Sequence, residues 1–175
     1  MRHVTRGGTY VRVVGPDWAD PLDASFSLRS GGRWNAPGTF AALYLCRDVE
    51  TARANARRLL EGQPFTFDDL LPERLPALVE TIVPEAGYVD AVTARGLASL
   101  DLPATYPLDA SGKRVSHERC RPIGATAWAG GEPGIACRSA APGAPAGSEE
   151  LALFDRGRRL KRGRRRPFDR WYRGN

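Results

Sequence analysis

Hydrophobic and polar positions alternate along this chain in short segments, with two modest stretches that read as helices. Thr9-Tyr10-Val11-Arg12-Val13-Val14 is rich in β-branched and aromatic residues and predicts a first strand ended by Gly15-Pro16. Asp17 to Arg29 shows little helical pattern and is expected to be a loop. The apolar run Ala41 to Cys46 predicts a buried strand. Asp48 then stands where it can cap a helix whose Val49, Ala52, Ala56, Leu59 and Leu60 recur at helical spacing, with Gly62 and Pro64 as stops. Leu75 to Val83 predicts another strand, resumed over Gly87 to Ala91 after a turn at Pro84. Leu97 to Leu102 is short and apolar, and prolines and a glycine make the residues after it loop-like. Ser116 to Trp128 predicts a helix in which Pro122 requires a first-turn position or a kink. Gly134 to Ala140 and Glu150 to Phe154 predict two late strands around a flexible loop. Short strands among two modest helices predict an α+β domain with a small mixed β-sheet core flanked by helices.

Between the first two strands lies Ser30-Gly31-Gly32-Arg33-Trp34-Asn35-Ala36-Pro37-Gly38-Thr39, the densest chemistry in the chain. Gly31 and Gly32 allow close backbone approach, and Pro37-Gly38 turns the chain. Arg33 offers a planar fork of donors for phosphate or carboxylate, and Trp34 a flat face for packing or stacking. The same residues also suit a tight turn whose Trp34 anchors a core and whose Arg33 is an ion-paired support. Arg12 likewise either points to solvent at an edge or reaches into a polar site. Asn55 lies near the edge of the helix's apolar stripe, open to solvent or to a cleft.

Composition narrows the classes. At 175 residues the chain suits one domain. Cys46, Cys120 and Cys137 are too few and too scattered for a disulfide framework, and His3 and His117 are the only histidines, so no metal site is expected. The N-terminal residues lack the apolar core of a signal peptide and no run approaches membrane-spanning length, so a cytoplasmic, non-membrane protein is expected. The net charge of +6 is uneven: Arg156 to Asn175 holds ten basic residues and one acidic one, leaving the remainder at −3. That asymmetry divides the chain into a domain over 1–155 and a basic, Arg-rich extension over 156–175. The run Arg158-Arg159-Leu160-Lys161-Arg162-Gly163-Arg164-Arg165-Arg166, followed by Phe168, Trp171 and Tyr172, mixes charge with stacking side chains. It is read as a solvated or partly disordered extension, or as a surface for nucleic acid or an acidic partner.

The ordered set Tyr10-Val11-Arg12-Val13, Gly31-Gly32-Arg33-Trp34-Asn35-Ala36-Pro37-Gly38, Leu43-Tyr44-Leu45, Glu50-Thr51-Ala52-Arg53-Ala54 and Gly134 to Ala140 resembles the RES-domain family. The resemblance covers most of residues 9 to 155. It implies a fold like that of ADP-ribosyltransferase toxins and cleavage of NAD+ as substrate at the nicotinamide–ribose bond, with water, phosphate or a protein as acceptor. It also implies a toxin assembled with an Xre-like helix-turn-helix antitoxin. By that resemblance Arg12 and Arg33 grip the dinucleotide phosphates, with Trp34 and Asn35 beside them, and Tyr44 borders the nicotinamide. Ser139 supports the site from the late strand, and Ser116 is a second candidate for that role. The family's helix glutamate falls at Asn55, which brings a hydrogen bond and no charge. Two further readings follow: a weakened or silent NAD-binding protein, or a member whose acid comes from elsewhere, with Glu118 and Glu150 as candidates.

Overall fold

The computed structural model describes residues 1–157 and 160–174; Arg158 and Arg159 of the basic run, and Asn175, lie outside the described residues. Six strands, β1 (His3–Val14), β2 (Ala42–Cys46), β3 (Ala77–Ala91), β4 (Gly134–Arg138), β5 (Glu149–Phe154) and β6 (Arg162–Arg166), form one mixed sheet in the order β1-β2-β5-β4-β3-β6. A further β1–β3 pairing closes the first five into a small barrel. The closing seam is antiparallel and long, from His3 opposite Val89 to Val14 opposite Ala77. Strands β3 and β4 are parallel, and β5 runs antiparallel to both β2 and β4. Helices α1 (Ser25–Ser30), α2 (Val49–Arg58), α3 (Ala94–Ser99) and α4 (His117–Ala129) lie between the strands. This is the α+β architecture expected from the pattern.

Period-two alternation divides the barrel's side chains between two packed faces. Leu43, Leu45, Ala136, Leu151 and Leu153 share one cluster with Tyr10 and Tyr88. Ala42, Ile135, Cys137, Ala152 and Phe154 share the other with Trp34, Leu97, Tyr106 and Ala127. Both faces of β4 and β5 are buried, which is why their sequences read as nearly continuous apolar runs.

The structure adds to the local readings at four places. The stretch over Asp17 to Arg29 is not all loop: α1 begins at Ser25, seated by Ser27, whose buried Oγ donates to Ala24 O and accepts from Ala42 N. The segments flanking Pro84 are one strand. Opposite Pro84–Glu85, β1 shifts register at Gly7, so the missing proline donor coincides with an irregularity rather than a turn. Residues 94–99 form a short helix capped by Thr93, whose side chain accepts from Gly96 N. Pro122 lies in the interior of α4, beyond the first turn.

The basic segment set apart at 155 packs back onto the sheet. Arg162–Arg166 adds β6 to the edge of β3, with Arg165 opposite Val79 and Arg166 opposite Leu78. The charged side chains point from an edge strand, a common way for proteins to keep an edge soluble. Beyond it Phe168 and Trp171 are buried in a cluster with Leu78, Phe67, Ala52 and Ala56. Phe168 stacks on Tyr172 at 4.5 Å, and the Trp171 carbonyl accepts from Arg53 Nε at 3.1 Å on α2. Residues 162–173 thus pair with β3 and pack against α2.

Candidate functional site

A cleft of about 760 Å³ opens beside the C-terminal half of α2 and the Gly31–Asn35 loop. That loop connects α1 to β2, not two strands, and its shape is set by one side chain. The Tyr44 hydroxyl accepts from Trp34 N at 3.0 Å and donates to Asn35 Oδ1 at 2.8 Å. The ring crosses Gly32 so closely that a Cβ there would lie 2.4 Å from the hydroxyl. Burial pushes the phenol's proton affinity well up, so Tyr44 stays neutral as it holds the loop.

Asn35 is fully buried and satisfied, its Nδ2 donating to Ser27 O and Phe40 O. Trp34 has no exposed surface and packs 6.1 Å from Tyr106. Trp34 nevertheless borders the cleft, whereas Asn35 does not line it; both suit the tight-turn reading, in which they build the loop that presents Arg33. Ser116 is also displaced from the site; exposed, it caps α4 by accepting from Arg119 N. Glu118 is exposed as well and does not line the cleft.

Arg33 and Arg12 both line the cleft, joined by Arg58, Arg74, Arg114 and Arg138. Arg33 donates from one guanidinium nitrogen to Val115 O at 2.7 Å. Arg12 donates to Pro21 O and Asp23 O and lies 5.1 Å over the Trp18 ring. Burial lowers its proton affinity to about 10, partly offset by Asp23 and Asp20, so it remains a cation at neutral pH. Arg138 is held by three carbonyls, those of Val92, Ala104 and Tyr106. Arg58, exposed at the last turn of α2, has no ion-pair or hydrogen-bond partner among the described residues. At the mouth His117 is held below its ordinary proton affinity by desolvation and by Arg33, Arg121 and Arg58.

Against these cations stands one acid. Among the described residues Glu150 is the sole carboxylate lining the cleft. Its Oε1 accepts from Asn55 Nδ2 at 3.0 Å and from Ser139 Oγ at 2.5 Å. The register explains the meeting: Glu150 lies opposite Cys46 on β2 and opposite Cys137 on β4, on the face that carries Tyr44 two residues before Cys46. Ser139 follows Cys137 by two and returns to that face. Asn55 arrives from α2, whose first turn is fixed by Asp48 accepting from Thr51 N at 2.7 Å. Of the residues singled out by sequence, Arg12, Arg33, Tyr44, Asn55 and Ser139 gather at one site. Arg58, Arg114 and His117 were not anticipated there.

No helix of the described residues is long and apolar enough to cross a membrane, and none of their His, Cys, Asp and Glu side chains forms a group of three able to hold a metal ion.

The family model of the RES domain matches residues 9–172, and the chain belongs to the RES-domain family. The match runs past the boundary drawn at 155 and takes in β6 and Trp171. Among solved structures the chain is similar to the MbcT toxin in the crystal structure of the M. tuberculosis MbcT–MbcA toxin–antitoxin complex. The identity is 21%, the alignment covers 94% of this chain and 85% of that one, and the TM-score is 0.75. No curated protein matches the chain.

Proposed function

We propose that this RES-domain protein binds NAD+ in the arginine-lined cleft and cleaves its nicotinamide–ribose bond. The observation that carries the reading is the composition of the cleft: several arginines converge on a space of ligand size that, among the described residues, holds a single, hydrogen-bonded carboxylate. Guanidinium groups match pyrophosphate oxygens in geometry and charge, so Arg12, Arg33 and Arg58 can fix the dinucleotide without a metal. Holding the substrate this way turns the loss of nicotinamide into an oriented, single-molecule step. In that step the C1′–N bond breaks, and its electron pair leaves on nicotinamide, neutralising the pyridinium. The ribose becomes cation-like at C1′, where an acceptor oxygen adds and gives up its proton. A nearby carboxylate stabilises that developing charge.

An antitoxin partner is part of the same proposal. Trp18, Phe26 and Leu59 stand exposed where they line the cleft, an apolar rim that a partner covering the mouth would bury. A cytoplasmic setting, where NAD+ is abundant, is proposed with it.

The test is nicotinamide release from NAD+ by the purified protein, followed chromatographically. Arg33→Ala is expected to lower turnover by about a hundredfold or more, by loss of a charged clamp at the reacting substrate. Arg58 makes no contact that folding needs, so Arg58→Ala is expected to raise KM several-fold while leaving the melting temperature unchanged. A folded protein that neither binds NAD+ nor releases nicotinamide would refute the reading.

A further inference from the structure

The acid of this site has changed elements: we propose that Glu150 on β5 supplies the carboxylate that faces the reacting ribose, with Asn55 and Ser139 as its positioning residues. The inference rests on the NAD+-cleavage reading above and goes on to name the group that performs its electrostatic step.

Four observations carry it. Glu150 is the sole acid lining the cleft among the described residues, so no other carboxylate there can meet a cationic ribose. Although six arginines share that wall, none of the described cations lies within ion-pairing distance of Glu150, and its charge is left for a ligand. Both protein donors bind the same oxygen, Oε1, and Oε2 has no hydrogen-bond partner among the described residues. One oxygen is anchored and the other is free, as expected of a carboxylate held for work rather than buried for structure. Finally, Asn55 and Glu150 are complementary. An amide donates to the carboxylate at 3.0 Å, whereas a glutamate at 55 would bring a second negative charge to the same place. Asparagine at 55 is therefore the counterpart of glutamate at 150 and not a loss of chemistry.

The pairing also reverses a simple expectation from the family pattern. If Asn55 were a silencing change, Asn55→Glu would restore activity. With Glu150 in place, it is expected to lower activity instead, because two carboxylates would compete for one position.

The experiment is steady-state nicotinamide release by Glu150→Gln, Asn55→Ala, Asn55→Glu and the paired variants, with NAD+ affinity and melting temperature measured on each. Glu150→Gln is expected to lower kcat by about 10²–10³ with KM changed little, since the charge matters in the transition state and not for binding. Asn55→Ala lowers kcat less, and adding it to Glu150→Gln causes no further loss, the non-additivity of residues acting as a unit. Asn55→Glu with Glu150→Gln regains activity over Glu150→Gln alone. Should a variant unfold, Glu150→Asp serves in its place: it keeps the charge on a shorter arm and is expected to be intermediate. Wild type and Glu150→Gln cleaving at equal rates would overturn the proposal while leaving NAD+ cleavage standing. A folded wild type that neither binds nor cleaves NAD+ would overturn both.

Discussion

A chain ending at Asp155 is expected to lose its cooperative thermal transition. Truncation removes β6 from the edge of β3 and takes Phe168, Trp171 and Tyr172 out of the cluster around Leu78 and Phe67. Trp171 is 1% exposed, and burying an aromatic of that size typically contributes about 3–5 kcal/mol against its truncation to alanine. Phe168, 4% exposed, adds a comparable amount, so together they approach the whole stability of an ordinary domain, about 5–15 kcal/mol. The loss also reaches the site, because Arg53 on α2 donates to the Trp171 carbonyl and α2 carries Asn55. Near-ultraviolet circular dichroism and a melting curve decide the matter. A sharp transition within a few degrees of the full chain's would show that the domain ends where the charge changes.

Gly124→Ala is expected to be the most damaging glycine-to-alanine change in this protein. A Cβ at 124 would lie 1.7 Å from Trp34 O and 2.6 Å from Trp34 C, both backbone atoms. Neither can turn aside as a side chain would, so α4 and the Gly31–Asn35 loop must part. Overpacking a core commonly costs about 1–3 kcal/mol, and a backbone clash belongs at or above the top of that range. For a domain of this size about 3 kcal/mol corresponds to a fall of roughly 6–12 °C in melting temperature. Because the displaced loop carries Arg33, nicotinamide release should fall with stability. Gly87→Ala is the control, since its added Cβ meets nothing nearer than 3.7 Å. A Gly124→Ala protein that melts with wild type would show that α4 does not press on the loop.

The parts of the fold legible in the sequence were those where local pattern and tertiary environment agree. Asp48 capping α2, the buried runs of β2, β4 and β5, and the tight loop at Gly31-Gly32 each carry their own signal. Strand β6 carries none, since Arg162 to Arg166 has no apolar alternation and becomes a strand because β3 has an open edge. The signal available was further on: a solvated extension has no use for Phe168, Trp171 and Tyr172 within five residues. Trp34 was ambiguous because a flat ring serves a core or a ligand equally well, and burial alone decides between them. Glu150 came into view only as one of two candidate acids. Its meeting with Ser139 depends on the β4–β5 register, and its meeting with Asn55 on the angle at which α2 crosses the sheet, neither of which is written in any short motif.

Strand β3 has a consequence for how the chain reaches this state. It pairs with β1, from the first residues, with β4, and with β6, from the last. Nearly all its partners are therefore remote in sequence, and no terminal fragment contains a finished sheet. Chains built on such non-local pairings belong to the slow end of folding, about milliseconds to seconds. During synthesis, at roughly 5–20 residues per second, β3 waits several seconds with an unpaired edge before β6 arrives. Until then α2 lacks its last support, so the cleft is complete only after translation has passed Trp171.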